Sequence, residues 1–400
     1  MKANAPIRID SAEVQDDRFS RFRLLSWWQQ ERIAKARVLV VGAGALGNEI
    51  VKNLALLGFR NVLVVDLDTI EASNLSRGVL FRAEDVGRAK ALVAAEAMRA
   101  LYPNARPLGL RANVVQQLGL GAFAWADVIL GGLDNREARL FLNRAAWKMG
   151  KPWIDGAIEG LNGVARVFEA GKPPCYECTL GETDWALLNR RMSCNLLTAT
   201  DEEAGKVATT PTVSSVIAGV QVQEALKLLH GLPSLSGKGF VFEGLHHTSY
   251  VTSYTEDPDC QSHYLLPELM RLPETSMQWT LKALHERACR DLGSDEVTVE
   301  FSRDVIWKLV NPHSGGEQEY FVPLGSLGPE DGVDPEDGTM RQVVTCHAFH
   351  GTEAYGARRL SELGLPAFDV FVARTGLNEV AYLLEGDAAA VLGDLAGGAA

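Results

Sequence analysis

The hexapeptide Gly42-Ala43-Gly44-Ala45-Leu46-Gly47 limits what this chain can fold into more than any other stretch. It follows the β-branched run Arg37 to Gly42 (RVLVVG) and precedes a helical pattern over Asn48 to Leu57 that stops at Gly58. A G-x-G-x-x-G turn between strand and helix lets backbone N–H groups approach a phosphate at the helix N-terminus. Asp66 closes the next apolar run, Asn61 to Asp66 (NVLVVD), where a carboxylate reaches ribose hydroxyls. Strand, loop, helix and acid agree, so the segment reads as a nucleotide-binding unit rather than a glycine turn without a ligand.

The alternation continues. A helix is expected from Gly87 to Leu101, ending before Pro103, and strands at Asp127 to Gly132 and Pro152 to Asp155. This order predicts a parallel sheet covered by helices on both faces. Gly163 to Ala170 and Gly239 to Thr255 read as antiparallel strands extending it, and Pro211 to His230 as a helix closed by Gly231 and Pro233. A break is expected at Pro267 to Glu274. Beyond it, residues 275–400 read as a smaller α+β domain with a helix (Met277 to Leu292) and two strands (Val297 to Phe301, Val305 to Val310). An acidic mobile loop (Gly328 to Gly338) and a frayed tail (Gly393 to Ala400) complete it. The expected division is an entry segment 1–36, a nucleotide domain 37–266 containing a crossover loop 179–210, and an accessory domain 275–400.

With 46% hydrophobic and 22% charged residues the chain is that of a globular protein with more than one core. Its formal net charge of -12 argues against nucleic acid and anionic lipid as partners. No apolar run is long enough to span a bilayer, and Met1 to Asp17 lacks an apolar signal segment. Six cysteines in 400 residues fit a reducing cytoplasm, where spaced Cys point to metal or catalysis.

Residues after Asp66 depart from a dehydrogenase. Asp68, Asn74, Arg77 and Lys90 follow in Asp66-Leu67-Asp68, Ser73-Asn74-Leu75-Ser76-Arg77 and Val86-Gly87-Arg88-Ala89-Lys90. Two cations and an amide beyond the ribose acid suit a triphosphate better than a nicotinamide. Leu133-Asp134-Asn135 ends another strand, and a carboxylate there sits over the ligand crevice, where it can hold magnesium. Cys175-Tyr176-Glu177-Cys178 and Cys260-Gln261-Ser262-His263 give C-x-x-C and C-x-x-H, the ligand count of a closed, structural zinc site. A redox pair or plain buried thiols is the alternative. Cys289 and Cys346 read as core residues. Cys194 belongs to neither pair, lies in a polar and charged stretch expected to be exposed, and follows Arg190 and Arg191, which favour its thiolate.

Taken in order, G-x-G-x-x-G, D-x-D, S-N-L-x-R, V-G-x-x-K-A and L-D-N resemble the adenylation domain of the ubiquitin-activating enzyme superfamily. That superfamily includes adenylyltransferases of thiamine and molybdopterin biosynthesis. Arg18-Phe19-Ser20-Arg21 is similar to the family's R-Y-x-R entry motif, and the resemblance spans about residues 18–266. It implies a Rossmann-like, mostly parallel α/β sheet with an antiparallel extension and a zinc knuckle pair. It implies that Gly42, Gly44 and Gly47 cradle ATP phosphates and that Asp66, with Asp68 beside it, binds ribose. Asn74, Arg77 and Lys90 would hold the triphosphate, and Asp134, beside Asn135, the magnesium. Arg21 would reach the ATP of a partner subunit in a homodimer, and Asn113 matches a nucleotide-contacting Asn. Family members commonly carry C-x-x-C at both metal positions, so His263 replaces the fourth thiolate. Cys194 matches the thioester-forming Cys of compact activating enzymes, although Asn195 to Ala208 is longer than the usual connection.

The expected activity is therefore two-step. The C-terminal carboxylate of a ubiquitin-like protein is adenylated with ATP-magnesium, then passed to Cys194 as a thioester, with a conjugating enzyme as a further partner. The alternative is an adenylyltransferase of a sulfur-carrier protein ending in glycine, with no obligatory enzyme thioester. An NAD-dependent oxidoreductase on the same fold and a non-catalytic scaffold subunit are the remaining readings.

Overall fold

The computed structural model of the protein describes residues 17–193 and 208–397. Eight strands form the larger sheet: β1 (Arg37–Val41), β2 (Asn61–Asp66), β3 (Arg106–Arg111), β4 (Val128–Gly131), β5 (Trp153–Glu159), β6 (Asn162–Phe168), β7 (Lys238–Glu243) and β8 (Thr248–Ser253). Their spatial order is β3-β2-β1-β4-β5-β6-β7-β8. The first five are parallel and the last three are added antiparallel. The strand order reverses between β1 and β4, which opens a crevice at their carboxyl ends.

β1 and β2 are apolar at every central position because both faces are covered. Val38, Val40, Val62 and Val64 pack on one side with Ile50 and Leu54 of helix Ala45–Leu57, Met98 of helix Lys90–Leu101 and Ile217 of helix Pro211–His230. Leu39, Val41, Leu63 and Val65 pack on the other with Phe123 and with Leu142 of helix Arg136–Lys148. Gly58 ends the first helix at φ 88° and Gly231 the long one at φ 68°, in the left-handed region that glycine adopts freely. Thr210 caps the start of the long helix, ahead of Pro211.

Several expectations need correction. The helices expected from Asn48 and from Gly87 start instead at Ala45 and Lys90; Gly87 is a turn at φ 89°. β3 was not anticipated because Pro107 and Gly109 interrupt its apolar pattern. Gly109 is there because a Cβ would lie 2.4 Å from the Ala91 carbonyl oxygen of the helix above. The stretch after Cys178, expected to be an exposed loop, begins with helix Glu182–Ser193, whose Leu188 is buried and whose Trp185 packs on the core.

The second sheet has six strands: β9 (Leu269–Leu272), β10 (Thr298–Val310), β11 (Glu317–Pro323), β12 (Gln342–Phe349), β13 (Val370–Thr375) and β14 (Asn378–Leu384). Its order is β11-β10-β13-β14-β9, with β12 also on β10. Thus two expected strands become six. β9 lies in the expected break and runs parallel to β14. The two segments around 297–310 are one strand, with a register shift between Glu300 and Val305 against β12. Helix Leu281–Leu292, expected from Met277, packs Leu281 and Leu284 on this sheet. The acidic loop is tied down: the buried Asn311 side-chain amide donates to Asp334 (2.8 Å) and Asp337 (3.1 Å). The tail is not frayed as far as 397, since Gly393–Leu395 forms a helical turn with Leu395 buried. Among the described residues, no helix is long and apolar enough to cross a membrane.

Candidate functional site

A cleft of about 1180 Å³ lies over the carboxyl ends of the parallel strands and runs on across β5, β6 and β7. Its floor begins at the glycine turn. Gly42 sits at φ 92°, and a Cβ there would meet the Gly132 carbonyl oxygen at 2.5 Å. A Cβ on Gly47 would come within 1.9 Å of the Gly42 carbonyl oxygen. These two glycines set the turn. Gly44 differs: it lines the cleft and a Cβ there meets nothing within 4 Å, so the space beside it is open to a ligand.

Asp66 fixes the turn to the next loop. One carboxylate oxygen accepts the Ala43 N–H (2.6 Å) and the other the Asp68 N–H (2.7 Å). Burial pushes its pKa up, against the lowering pull of the Ala43 N–H, Lys90 and the Asp68 N–H. Lys90 points its amine into the cleft and pairs with Asp68 at 2.7 Å. Asn74 accepts the Glu71 N–H (3.0 Å), and Arg77 donates to the Ser73 carbonyl (3.1 Å). Asp134 is exposed at the cleft wall, and Asn135 caps helix Arg136–Lys148 by accepting the Ala138 N–H at 2.8 Å. Gly42, Gly44, Asp66, Asp68, Asn74, Arg77, Lys90, Asn113, Asp134 and Asn135 all line the one cleft. Gly47 supports it from behind. Arg21 is exposed and does not line this chain's cleft. Cys194, and Asn195 to Val207 of the long connection after it, lie outside the described residues.

Sequence reasoning missed a buried ion triad in the cleft floor. Asp155 is wholly buried and accepts from Arg139 Nε (3.0 Å) and Arg166 Nε (2.9 Å), and both arginines line the cleft. Arg139 also donates to the Leu133 carbonyl (2.5 Å), which holds the loop leading into Asp134. Asp155 closes the expected strand Pro152 to Asp155, so the strand-end rule that singled out Asp134 would have found it.

The wall beyond Arg166 comes from the cysteine knuckle, through Tyr176, Thr179 and Leu180. Cys175, Cys178, Cys260 and His263 place their ligand atoms within 4.8 Å of one another. Sulfur separations are 3.7 Å (Cys175 to Cys178) and 3.6 Å (Cys175 to Cys260), and Cys178 Sγ is 3.3 Å from His263 Nε2. Tetrahedral zinc about 2.3 Å from each sulfur requires sulfurs roughly 3.8 Å apart, so the four groups fit that ion. Supporting bonds hold them: Asn143 donates to Cys175 Sγ (3.3 Å) and Ser262 (2.9 Å) and accepts the Tyr176 N–H (2.9 Å). Trp147 stacks on His263 at 4.5 Å, and Arg144 forks onto buried Glu177. The same Asn143 therefore fixes both a Cys of this cluster and the cleft-lining Tyr176.

The ThiF family's sequence profile matches residues 17–262. SUMO-activating enzyme subunit uba-2 of Caenorhabditis elegans is 39% identical over 155 residues, 38% of this chain and 27% of that protein. The NEDD8-activating enzyme E1 catalytic subunit of Arabidopsis thaliana is 40% identical over 157 residues, 36% of this chain and 34% of that protein. The match thus spans about a third or less of these relatives. The sulfur carrier protein adenylyltransferase of Thermus thermophilus is 33% identical over 239 residues, 58% of this chain and 83% of that protein. Among solved structures, E. coli MccB superposes with a TM-score of 0.52 at 21% identity, covering 63% of this chain and 76% of that one, a likeness of fold.

Proposed function

The chain belongs to the ThiF family, and from that premise we propose that it adenylates the C-terminal carboxylate of a ubiquitin-like protein with ATP and transfers it to Cys194. The carrying observation is the convergence of Gly44, Asp66, Arg77, Lys90 and Asp134 on one cleft. Phosphates seat on the glycine turn and the N-terminus of helix Ala45–Leu57, and the ribose on Asp66. Lys90 exchanges Asp68 for phosphate oxygens, and Arg77 and Asn74 bind those beyond. Asp134, held by the Arg139 bond to Leu133, would hold magnesium, which would supply neutralising charge on the phosphates. Arg21, in a homodimer, adds charge at the ATP in the partner subunit's cleft.

A carboxylate oxygen of the C-terminal glycine attacks the α-phosphorus, and the bond to the β-phosphate oxygen breaks, releasing pyrophosphate. In the second step the Cys194 thiolate attacks the acyl carbon and AMP leaves with the bonding pair, giving a thioester. Arg139 and Arg166, locked by Asp155, supply fixed positive charge on the floor where these anions gather. The cysteine-histidine knuckle has a structural role, holding Tyr176 and the wall beyond it; zinc is the ion its donor set suits.

A second reading has support of its own, because the sulfur carrier protein adenylyltransferase is matched over 83% of its length. It keeps the first step and omits the thioester. The test is ATP–pyrophosphate exchange with small proteins ending in glycine, followed by a non-reducing gel. Cys194→Ala should retain exchange and form no thiol-sensitive adduct. Exchange with the true partner but no adduct in the wild type selects the sulfur-carrier reading. Retention of the adduct in Cys194→Ala assigns it to another thiol.

A further inference from the structure

The second sheet grips the segment that forms the outer wall of the nucleotide cleft. Ala112, Asn113 and Val114 line the cleft just past the end of β3, on the side of Asp66 away from the glycine turn. The Ala112 N–H donates to the Asp66 carbonyl (3.2 Å), and Asn113 caps the short helix Val114–Gln117. With phosphates on the glycine turn and ribose at Asp66, the base of a bound nucleotide falls against this wall.

That wall is held from outside its own sheet. At the register shift in β10, Arg303 turns to the first sheet and donates to the carbonyls of Val115 (2.5 Å) and Leu118 (2.8 Å). Its guanidinium lies 5.3 Å from the centre of the Phe141 ring. Gln116 donates to the Leu324 carbonyl (3.3 Å). Next along, Asp369 accepts the Leu120 N–H (2.8 Å), and Phe368, at φ 56°, turns its carbonyl onto the Gly121 N–H (2.9 Å). Gly119 and Gly121 have no room for a Cβ, which would meet backbone oxygens of residues 367–368 at 2.5 Å or closer. At Gly119 and Gly121 the contact is backbone to backbone, so a shift of the second sheet moves the wall with it.

We propose that Arg303 is a positioning residue for the base end of the bound nucleotide, so that the second sheet sets nucleotide affinity without touching the ligand. This rests on the ATP reading of the cleft. Arg303→Met keeps an unbranched stem over Phe141 and removes the donors to both carbonyls. It is expected to weaken ATP binding about tenfold, the effect of one or two lost hydrogen bonds. Inorganic tripolyphosphate, which has no base, should compete in the variant within about twofold of its wild-type strength. Arg303→Lys, which keeps one donor head, should recover part of the ATP affinity. Equal ATP affinity in folded Arg303→Met overturns the proposal, as does an equal loss for ATP and tripolyphosphate. If Arg303→Met does not fold, Gln116→Leu, which removes the bond to Leu324, carries the same comparison. Wild-type protein that binds neither ATP nor tripolyphosphate overturns the ATP reading itself, and the proposal with it.

Discussion

In the larger sheet, β1 to β5 are joined by local strand–helix–strand steps, and a cleft over their carboxyl ends gathers the glycine turn with Asp66, Arg77, Lys90 and Asp134. The smaller sheet is assembled from afar: Leu269 of β9 pairs with Ala381 of β14, and β12 returns to β10 across the acidic loop. Its charged side chains mostly pair on the surface, as Lys308 does with Glu317 and Arg358 with Glu319. The first sheet gathers its cleft-lining side chains at and beyond its strand ends. The second contributes by holding backbone next to the first, through the Arg303 and Asp369 side chains and the Phe368 carbonyl. A side-chain deletion should therefore be felt as lost activity in one sheet and as altered geometry in the other.

The largest effect expected from that contrast is at Asp134. Asp134→Ala should lower pyrophosphate exchange by on the order of 10²–10³-fold, as removal of a charge-stabilising group does. Its melting temperature should hold, because the carboxylate is exposed and its one side-chain hydrogen bond among the described residues, from Asn135, is long at 3.4 Å. Glu336→Ala, on the acidic loop of the second sheet, should change neither. Wild-type exchange in Asp134→Ala removes the residue from the mechanism.

Next comes the cysteine-histidine cluster, where the contrast should break down because the residue beside it bonds to the second sheet. Tyr264, beside His263, donates to Glu379 of β14 (2.6 Å) and accepts from Arg374 of β13 (2.8 Å). Metal analysis should return about one zinc per chain. Cys175→Ser should cost about 4 kcal/mol or more, the range seen when a structural metal is lost. Unfolding should take the second sheet with it, read as loss of protection of the β13 and β14 amides in hydrogen exchange. A fully folded metal-free protein excludes a structural role for the site.

How much of this was legible follows the same division. β1, β2 and the glycine turn announce themselves because apolar continuity, Gly42 and Asp66 sit next to one another in the chain. The grouping of Cys175, Cys178, Cys260 and His263 was legible from spacing alone. Asp155, Arg139 and Arg166 were not paired in advance, since they come from β5, a helix and β6 and meet only after the sheet forms. In the smaller sheet, β11 (EQEYFVP) and β12 (QVVTCHAF) carry polar residues at their exposed positions, which hid them as loop. β10 was split in two because Ser302, Arg303 and Asp304 interrupt its apolar alternation, at the very place where the strand reaches across to the first sheet.

The smallest expected effect tests whether the junction between the sheets is optimised for stability. Lys148 ends helix Arg136–Lys148, a position where the helix dipole favours a cation by about 0.3–1 kcal/mol. Its ammonium has no hydrogen-bond or ion-pair partner among the described residues. Burial nevertheless pulls its pKa below the ordinary 10.5, helped by Arg144 and Arg374 and opposed by Asp369 and Glu300. Desolvation therefore outweighs the dipole. Because the folded pKa is depressed, the folded state binds fewer protons than the unfolded one once pH approaches that pKa. The penalty is then full below the folded pKa and fades as pH rises to 10.5. Lys148→Met fills similar volume without the charge and should stabilise the protein by about 1 kcal/mol at neutral pH. Denaturant titrations in steps from pH 7 upward should show that gain shrinking toward zero. A gain that does not vary with pH assigns the effect to packing alone, and a loss of stability at pH 7 means that the junction solvates this ammonium well enough to need it.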